Sequence, residues 1–253
     1  MATGPGGRAR ILGVPVDLLS LPEALEAAWR LGAAARPGRP ALVLTPNPEL
    51  IMQSRADAEL RAAVEGADLC LADGVGVVWA ARRRGLPVPG RVPGIDLFHA
   101  LLARAAAEHR PVYLLGARPD VVAAAARRAA ERFPGLRVAG AADGYFAARG
   151  QEAEAVAAVA ASGAELLFVG LGVPAQERFL HRHRGEFGAV RLCMGVGGSF
   201  DVLSGFRRRA PAAVRRLGLE WLWRLGREPS RWRRQLALPR FALAVLRDRP
   251  AGR

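Results

Sequence analysis

An aspartate at the end of a short apolar run is the residue in this sequence best placed to do chemistry. Leu69-Cys70-Leu71-Ala72-Asp73-Gly74-Val75-Gly76 reads as a strand that delivers one carboxylate to the rim of a parallel sheet, where the ligands of open α/β sheets sit. A carboxylate so placed can take the proton of an attacking alcohol as the new bond forms. It can equally serve as the N-cap of the helical pattern that follows. A second candidate is the stiff turn Thr45-Pro46-Asn47-Pro48-Glu49, which comes straight after the buried strand Ala41-Leu42-Val43-Leu44. Its prolines cannot continue a ladder, and Asn47 can cap a helix opened by Pro48, which leaves Thr45 without a structural duty. Arg91, in the Pro- and Gly-rich loop 87–94, is either a surface charge or an anion ligand.

Glycines collect where further strands end: Gly116, Asp143-Gly144-Tyr145-Phe146, Gly170-Leu171-Gly172-Val173-Pro174-Ala175-Gln176-Glu177, and Gly195-Val196-Gly197-Gly198-Ser199-Phe200-Asp201. Glycine lets backbone N–H groups approach a phosphate, and several such turns along one sheet edge suggest a nucleotide-diphosphate site. The segment 170–175 fits the loose dinucleotide pattern G-x-G-x-x-A, but it does not follow the first strand and no acid ends the next one, so that fingerprint is weak.

The elements that must hold these residues follow from periodicity. Residues 10–16 form an opening strand or hairpin. Ser20-Leu21-Pro22-Glu23 is a capping box before a helix with Leu21, Leu25, Ala28 and Trp29 at helical spacing. A helix runs from Asp73 through about Trp79 to the basic run Arg82-Arg83-Arg84, and another carries Asp96, Leu97, Leu101 and Leu102. Strands at 112–115, 136–139, 165–169 and 189–194 alternate with helices at 120–132, 151–161 and 174–183. That alternation specifies βαβ units: a Rossmann-like, mostly parallel sheet with helices on both faces.

All 37 basic residues of the 253 are arginine, which excludes Schiff-base chemistry and a P-loop lysine. The two cysteines, Cys70 and Cys193, sit in apolar runs and read as buried thiols. His181 and His183 read as a solvated helix end, because i and i+2 do not share a helix face, and no metal site is expected. No apolar stretch is long enough to span a membrane, and the Gly4-Pro5-Gly6-Gly7 start lacks the apolar segment of a signal peptide, so a cytoplasmic protein is expected.

Charge divides the chain. Residues 206–253 hold 14 arginines and 3 acids, against 23 arginines and 20 acids in residues 1–205. The sequence therefore predicts a nearly neutral core, 1–205, and a basic helical appendage, 206–253. Val214, Leu217, Trp221 and Leu225 form one apolar helical stripe, with Arg215, Arg216, Arg224 and Arg227 elsewhere on that helix. Pro229 breaks it, and a second stretch, 230–247, carries Trp232, Leu236, Phe241, Leu243 and Leu246. Basic amphipathic helices with tryptophan suit an anionic membrane interface or a lipid-linked ligand; packing on the core, a dimer contact and nucleic-acid binding compete.

Taken together and in order, the motifs at 45–49, 72–76, 91–94, 172–177, 195–201, 209–211 and 218–222 resemble the WecG/TagA/CpsF glycosyltransferases (glycosyltransferase family 26) over residues 11 to about 247. The resemblance implies inverting, metal-independent transfer of a sugar, of the N-acetylmannosamine type, from a UDP-sugar donor to a polyprenyl-diphosphate-linked sugar acceptor (undecaprenyl diphosphate) in teichoic acid or polysaccharide synthesis. It implies peripheral association with the inner membrane face and no cofactor. On the matching positions it makes Asp73 the general base with Thr45 beside it in the catalytic set. Asn47, Arg91 and Gln176 become substrate contacts, Tyr145 and Asp201 nucleotide contacts, and Gly195, Gly197 and Gly198 the phosphate turn. Arg215, Arg216, Arg224, Arg227 and Trp221 would then serve the lipid diphosphate or the membrane. A nucleotide-cofactor oxidoreductase on the same kind of sheet and a basic nucleic-acid-binding protein are the rival classes, although no nucleic-acid partner is expected, and a homo-oligomer is compatible with the apolar faces.

Overall fold

A computed structural model describes residues 7–36, 38–229 and 232–248. The glycine-rich start at 4–6 and the first two residues of the 230–247 stretch lie outside them. Two short strands, β1 (Arg8–Ile11) and β2 (Val14–Asp17), form an antiparallel hairpin, as expected. The main sheet has six strands: β3 (Ala41–Leu44), β4 (Leu69–Cys70), β5 (Val112–Gly116), β6 (Val138–Ala142), β7 (Leu166–Gly170) and β8 (Leu192–Gly195). Their order is β4-β3-β8-β7-β5-β6, and every pairing is parallel. β3, β5, β7 and β8 are buried along their whole length, as a sheet covered on both faces requires. The hairpin shields the β4 edge: the Asp17 carboxylate accepts the Cys70 N–H at 2.8 Å and holds Arg8 at 2.8 Å.

Helices α1 (Leu21–Ala34), α2 (Pro48–Ser54), α3 (Ala58–Glu65), α4 (Val75–Arg83), α5 (Gly94–Ala107), α6 (Pro119–Arg132), α7 (Glu152–Ala161), α8 (Ala175–Arg182) and α9 (Ser199–Leu203) cover the sheet. At the start of α1 the Glu23 carboxylate accepts the Ser20 N–H at 2.8 Å, as the capping box requires. The expectations omitted α3, whose signal is the N-cap Asp57 accepting the Leu60 N–H at 3.0 Å. Apolar residues pack into two clusters, one on each face of the sheet, with both cysteines buried.

The tail departs from one expectation. The stripe Val214, Leu217, Trp221, Leu225 does not lie on one helix. Gly218, at φ +73°, ends α10 (Ala212–Arg216), and a separate α11 (Glu220–Arg227) begins beyond it. The left-handed residue turns the chain, and Leu217 is left 73% exposed. After α12 (Trp232–Gln235), α13 (Ala237–Arg247) packs on α2 and α4, and Phe241 is 1% exposed in the same cluster as Val77, Ala80 and Ala81. Phe241→Ala is therefore expected to lower unfolding stability by about 3–5 kcal/mol, read by chemical denaturation. Among the described residues, no helix is long and apolar enough to cross a membrane.

Candidate active site

The C-terminal ends of β3, β4 and β8 lie side by side, because β3 sits between β4 and β8. Here the strand order turns back on itself, the position at which doubly wound sheets hold ligands. A cleft of about 230 Å³ opens there, lined by Thr45 and Asn47 after β3, Asp73 after β4, and Gly195, Gly197 and Gly198 after β8. Arg91 and Gln176 join from the flanking loop and helix, and Trp221, Arg224 and Gln235 close it from the tail.

Asp73 does not cap the helix that follows it. The N-cap of α4 is Gly74, at φ +89°, and no side chain caps that helix. The carboxylate is half-buried in the cleft, beside the Gly94 amide at the start of α5. Burial pushes its pKa up to about 6, with Glu220 adding to the rise, while Arg224, the Gly94 amide and Arg91 oppose it. A carboxylate poised near neutrality is what a general base requires. The acidic limb of kcat/KM is accordingly expected to fall with unit slope below pH about 6, read from initial rates across pH 4.5–8.

Asn47 does cap α2, its Oδ1 accepting the Leu50 N–H at 2.9 Å, and so it faces the cleft from a fixed position. Thr45 Oγ1 lies against Gly94; a Cβ at that glycine would stand 2.8 Å from the hydroxyl. Gln176 is held at both ends of its amide. Its Nε2 donates to Glu177 Oε1 at 2.8 Å, and its Oε1 accepts the Gly197 N–H at 2.9 Å. A Cβ at Gly195 would meet Gln176 Nε2 at 2.7 Å, so this strand end must be bare for the amide to cross it. Burial pushes the Glu177 carboxyl up to about 7. One amide of the expected phosphate turn, that of Gly197, is thus already spent on Gln176.

The arginines converge on an acid that the sequence reading quoted in a motif without giving it a role. Glu220, 8% exposed, accepts from Arg91 at 3.3 Å and from Arg224 at 3.1 Å, and Arg209 stands 3.8 Å away while pairing with Asp96. Arg91 also donates to the Arg215 carbonyl at 3.0 Å, tying the core loop to the tail. Not every expected residue comes to this cleft. Tyr145 is exposed beyond β6, and Asp201 pairs with Arg207 at 3.3 Å; both lie near Arg118 rather than Asp73. Arg227 stacks on Trp223 at 5.1 Å. In the dinucleotide-like pattern Gly170 serves packing, since a Cβ there would stand 2.9 Å from the Gly197 carbonyl and from the Phe200 ring, whereas Gly172, at φ +77°, meets nothing and serves the turn. Ser199 and Gln235, which also line the cleft, carry no sequence signal of their own.

Over the strand ends of a parallel α/β sheet stand a carboxylate and a set of arginines, groups that can accept a proton and hold an anion. The sequence profile of the Glycosyl transferase WecG/TagA/CpsF family matches residues 9–253, and the chain belongs to that family of glycosyltransferases. It is 39% identical over 212 residues to the N-acetylglucosaminyldiphosphoundecaprenol N-acetyl-beta-D-mannosaminyltransferase of Bacillus spizizenii strain W23, covering 84% of this chain and 81% of that one. The protein of the same name from Bacillus subtilis strain 168 is 36% identical over 208 residues, 82% and 80% of the two chains.

Proposed function

We propose that this enzyme transfers an N-acetylmannosaminyl-type sugar from a UDP donor to a sugar carried on undecaprenyl diphosphate, with inversion. The names of the two relatives support the donor sugar and the acceptor. The observation that carries the mechanism is the Asp73 carboxylate, which does not cap α4 and faces Arg91 and Arg224 across one cleft.

Asp73 accepts the proton of the acceptor hydroxyl as that oxygen attacks the anomeric carbon, and the bond from that carbon to the UDP oxygen breaks on the opposite side. Thr45 and Asn47 orient the sugars from the β3 end, and Gln176 contacts them from the β8 side. The departing diphosphate gathers negative charge, which Arg91, Arg224 and the Gly198 amide of the turn stabilise. Tyr145 and Asp201, beyond that turn, serve the nucleoside end. On this reading guanidinium groups supply the positive charge that meets the departing diphosphate. The exposed Leu217, Leu222, Trp232, Leu243 and Leu246 suit peripheral contact with an anionic membrane surface.

The assay that tests this reading follows UDP release with a lipid-diphosphate-linked sugar and a panel of UDP-sugars. Acceptor-dependent release that persists in excess chelator is expected. A strict requirement for a divalent cation would overturn the role given to the arginines, and no release with any UDP-sugar would overturn the reading itself.

A further inference from the structure

Outside the cleft runs a second, larger depression of about 690 Å³. One wall is a single face of α4: Val75, Val78, Trp79, Arg82 and Arg83 follow i, i+3, i+4, i+7 and i+8. The other wall is the start of the tail, with Arg215, Arg216 and Gly218. The two spaces adjoin, with Val75, Arg91 and Gly218 in the linings of both. Where they meet, a Cβ on Gly218 would stand 2.5 Å from Val75 Cγ1, so the bare tail backbone rests directly on Val75.

Apart from Arg91, which is held by Glu220, the arginines of this groove have no carboxylate bonded to them among the described residues. Arg84, third in the basic run, is engaged with the Arg10 carbonyl and Asp248. Among the described residues Arg82, Arg83 and Arg216 have no side-chain partner, and the buried Nε of Arg215 has none either. Four guanidinium groups therefore face a trough whose floor is Val78 and a Trp79 that is 40% exposed. Uncompensated cations around an apolar floor match a ligand that is anionic at one point and apolar beyond it.

We infer that this groove holds the diphosphate and first isoprene units of the lipid-linked acceptor, with Arg82 and Arg83 gripping the diphosphate from the core side and Trp79 contacting the chain. This assignment rests on the proposed function, and adds to it a core helix that the tail's arginines face. From Val75 to Arg82 the helix rises about 10 Å, on the scale of one sugar ring and a diphosphate, so an acceptor hydroxyl at Asp73 leaves the diphosphate at the arginine pair.

The test uses the full-length chain and two acceptors with the same sugar diphosphate, one on a long polyprenyl chain and one on a short one. Arg82→Ala/Arg83→Ala is expected to raise the acceptor KM about tenfold or more for both, with the donor KM unchanged, and Arg82→Lys/Arg83→Lys to recover part of the loss. Trp79→Ala is expected to raise KM for the long chain alone. Sedimentation with phosphatidylglycerol vesicles separates the acceptor's diphosphate from bilayer phosphate: partition of the double variant should match wild type. An unchanged acceptor KM, or a rise that appears only with membranes and tracks lost vesicle binding, would overturn the inference. If the wild-type chain transfers to neither acceptor, the underlying reading falls and takes this one with it.

Discussion

Asp73→Asn is expected to cut the transfer rate by about a thousandfold while UDP binding persists. A positioned general base contributes about 10²–10⁴ in rate, and the amide is nearly isosteric but cannot accept the acceptor's proton. The variant should also be well folded. Because burial raises the Asp73 pKa to about 6, the folded chain binds more protons than the unfolded chain between the ordinary aspartate value and pH 6. Stability from this group is thus present at low pH and is lost as pH rises through 6, and the neutral asparagine removes that loss. The melting temperature of the variant should equal or exceed that of wild type at pH 8, and the difference should shrink towards pH 4. Retained transfer would remove Asp73 as the base. Loss of transfer together with a lower melting temperature at pH 8 would instead mark a structural role.

The carboxylate was legible because its position depends on local rules: an apolar run ending in Asp-Gly reads as a strand tip whatever lies elsewhere. The Asn47 cap and the alternation of strands and helices were legible for the same reason. Glu220 was not. Its neighbours are Arg91 and Arg209, which are 129 and 11 residues away in the chain, as well as Arg224 one helical turn on. Only the Arg224 spacing is visible in a linear reading. The break at Gly218 was missed because four apolar residues at helical spacing outweighed one glycine, although a glycine in the left-handed region ends a helix at little cost. The arginine count marked the tail as basic, yet it did not separate Arg224, which lines the cleft, from Arg227, which stacks on Trp223. That distinction depends on which way the chain leaves the turn at 218.

Glu220→Gln is expected to be the most damaging change after Asp73→Asn, with activity falling about 10–100-fold. The wild-type carboxylate is buried and neutralises guanidinium groups from the loop after α4, from the segment before α10 and from α11. Removing one partner of a buried ion pair while leaving the cations in place costs about 3–5 kcal/mol, so a lower melting temperature is expected as well. A purely structural role predicts that loss and nothing more. The location of Glu220 beside the base predicts another effect: its negative charge helps to raise the Asp73 pKa, while Arg91 and Arg224 lower it. With the acid gone and both arginines retained, the carboxyl should ionise more readily. The acidic limb of the pH profile should move below pH 6 even as kcat falls, since the arginines proposed to meet the departing diphosphate have lost their anchor. A drop in rate with the limb unmoved would show that Glu220 merely holds the tail in place, whereas a lower limb with a raised donor KM would show that one buried carboxylate sets both the base and the anion-binding charge of the cleft.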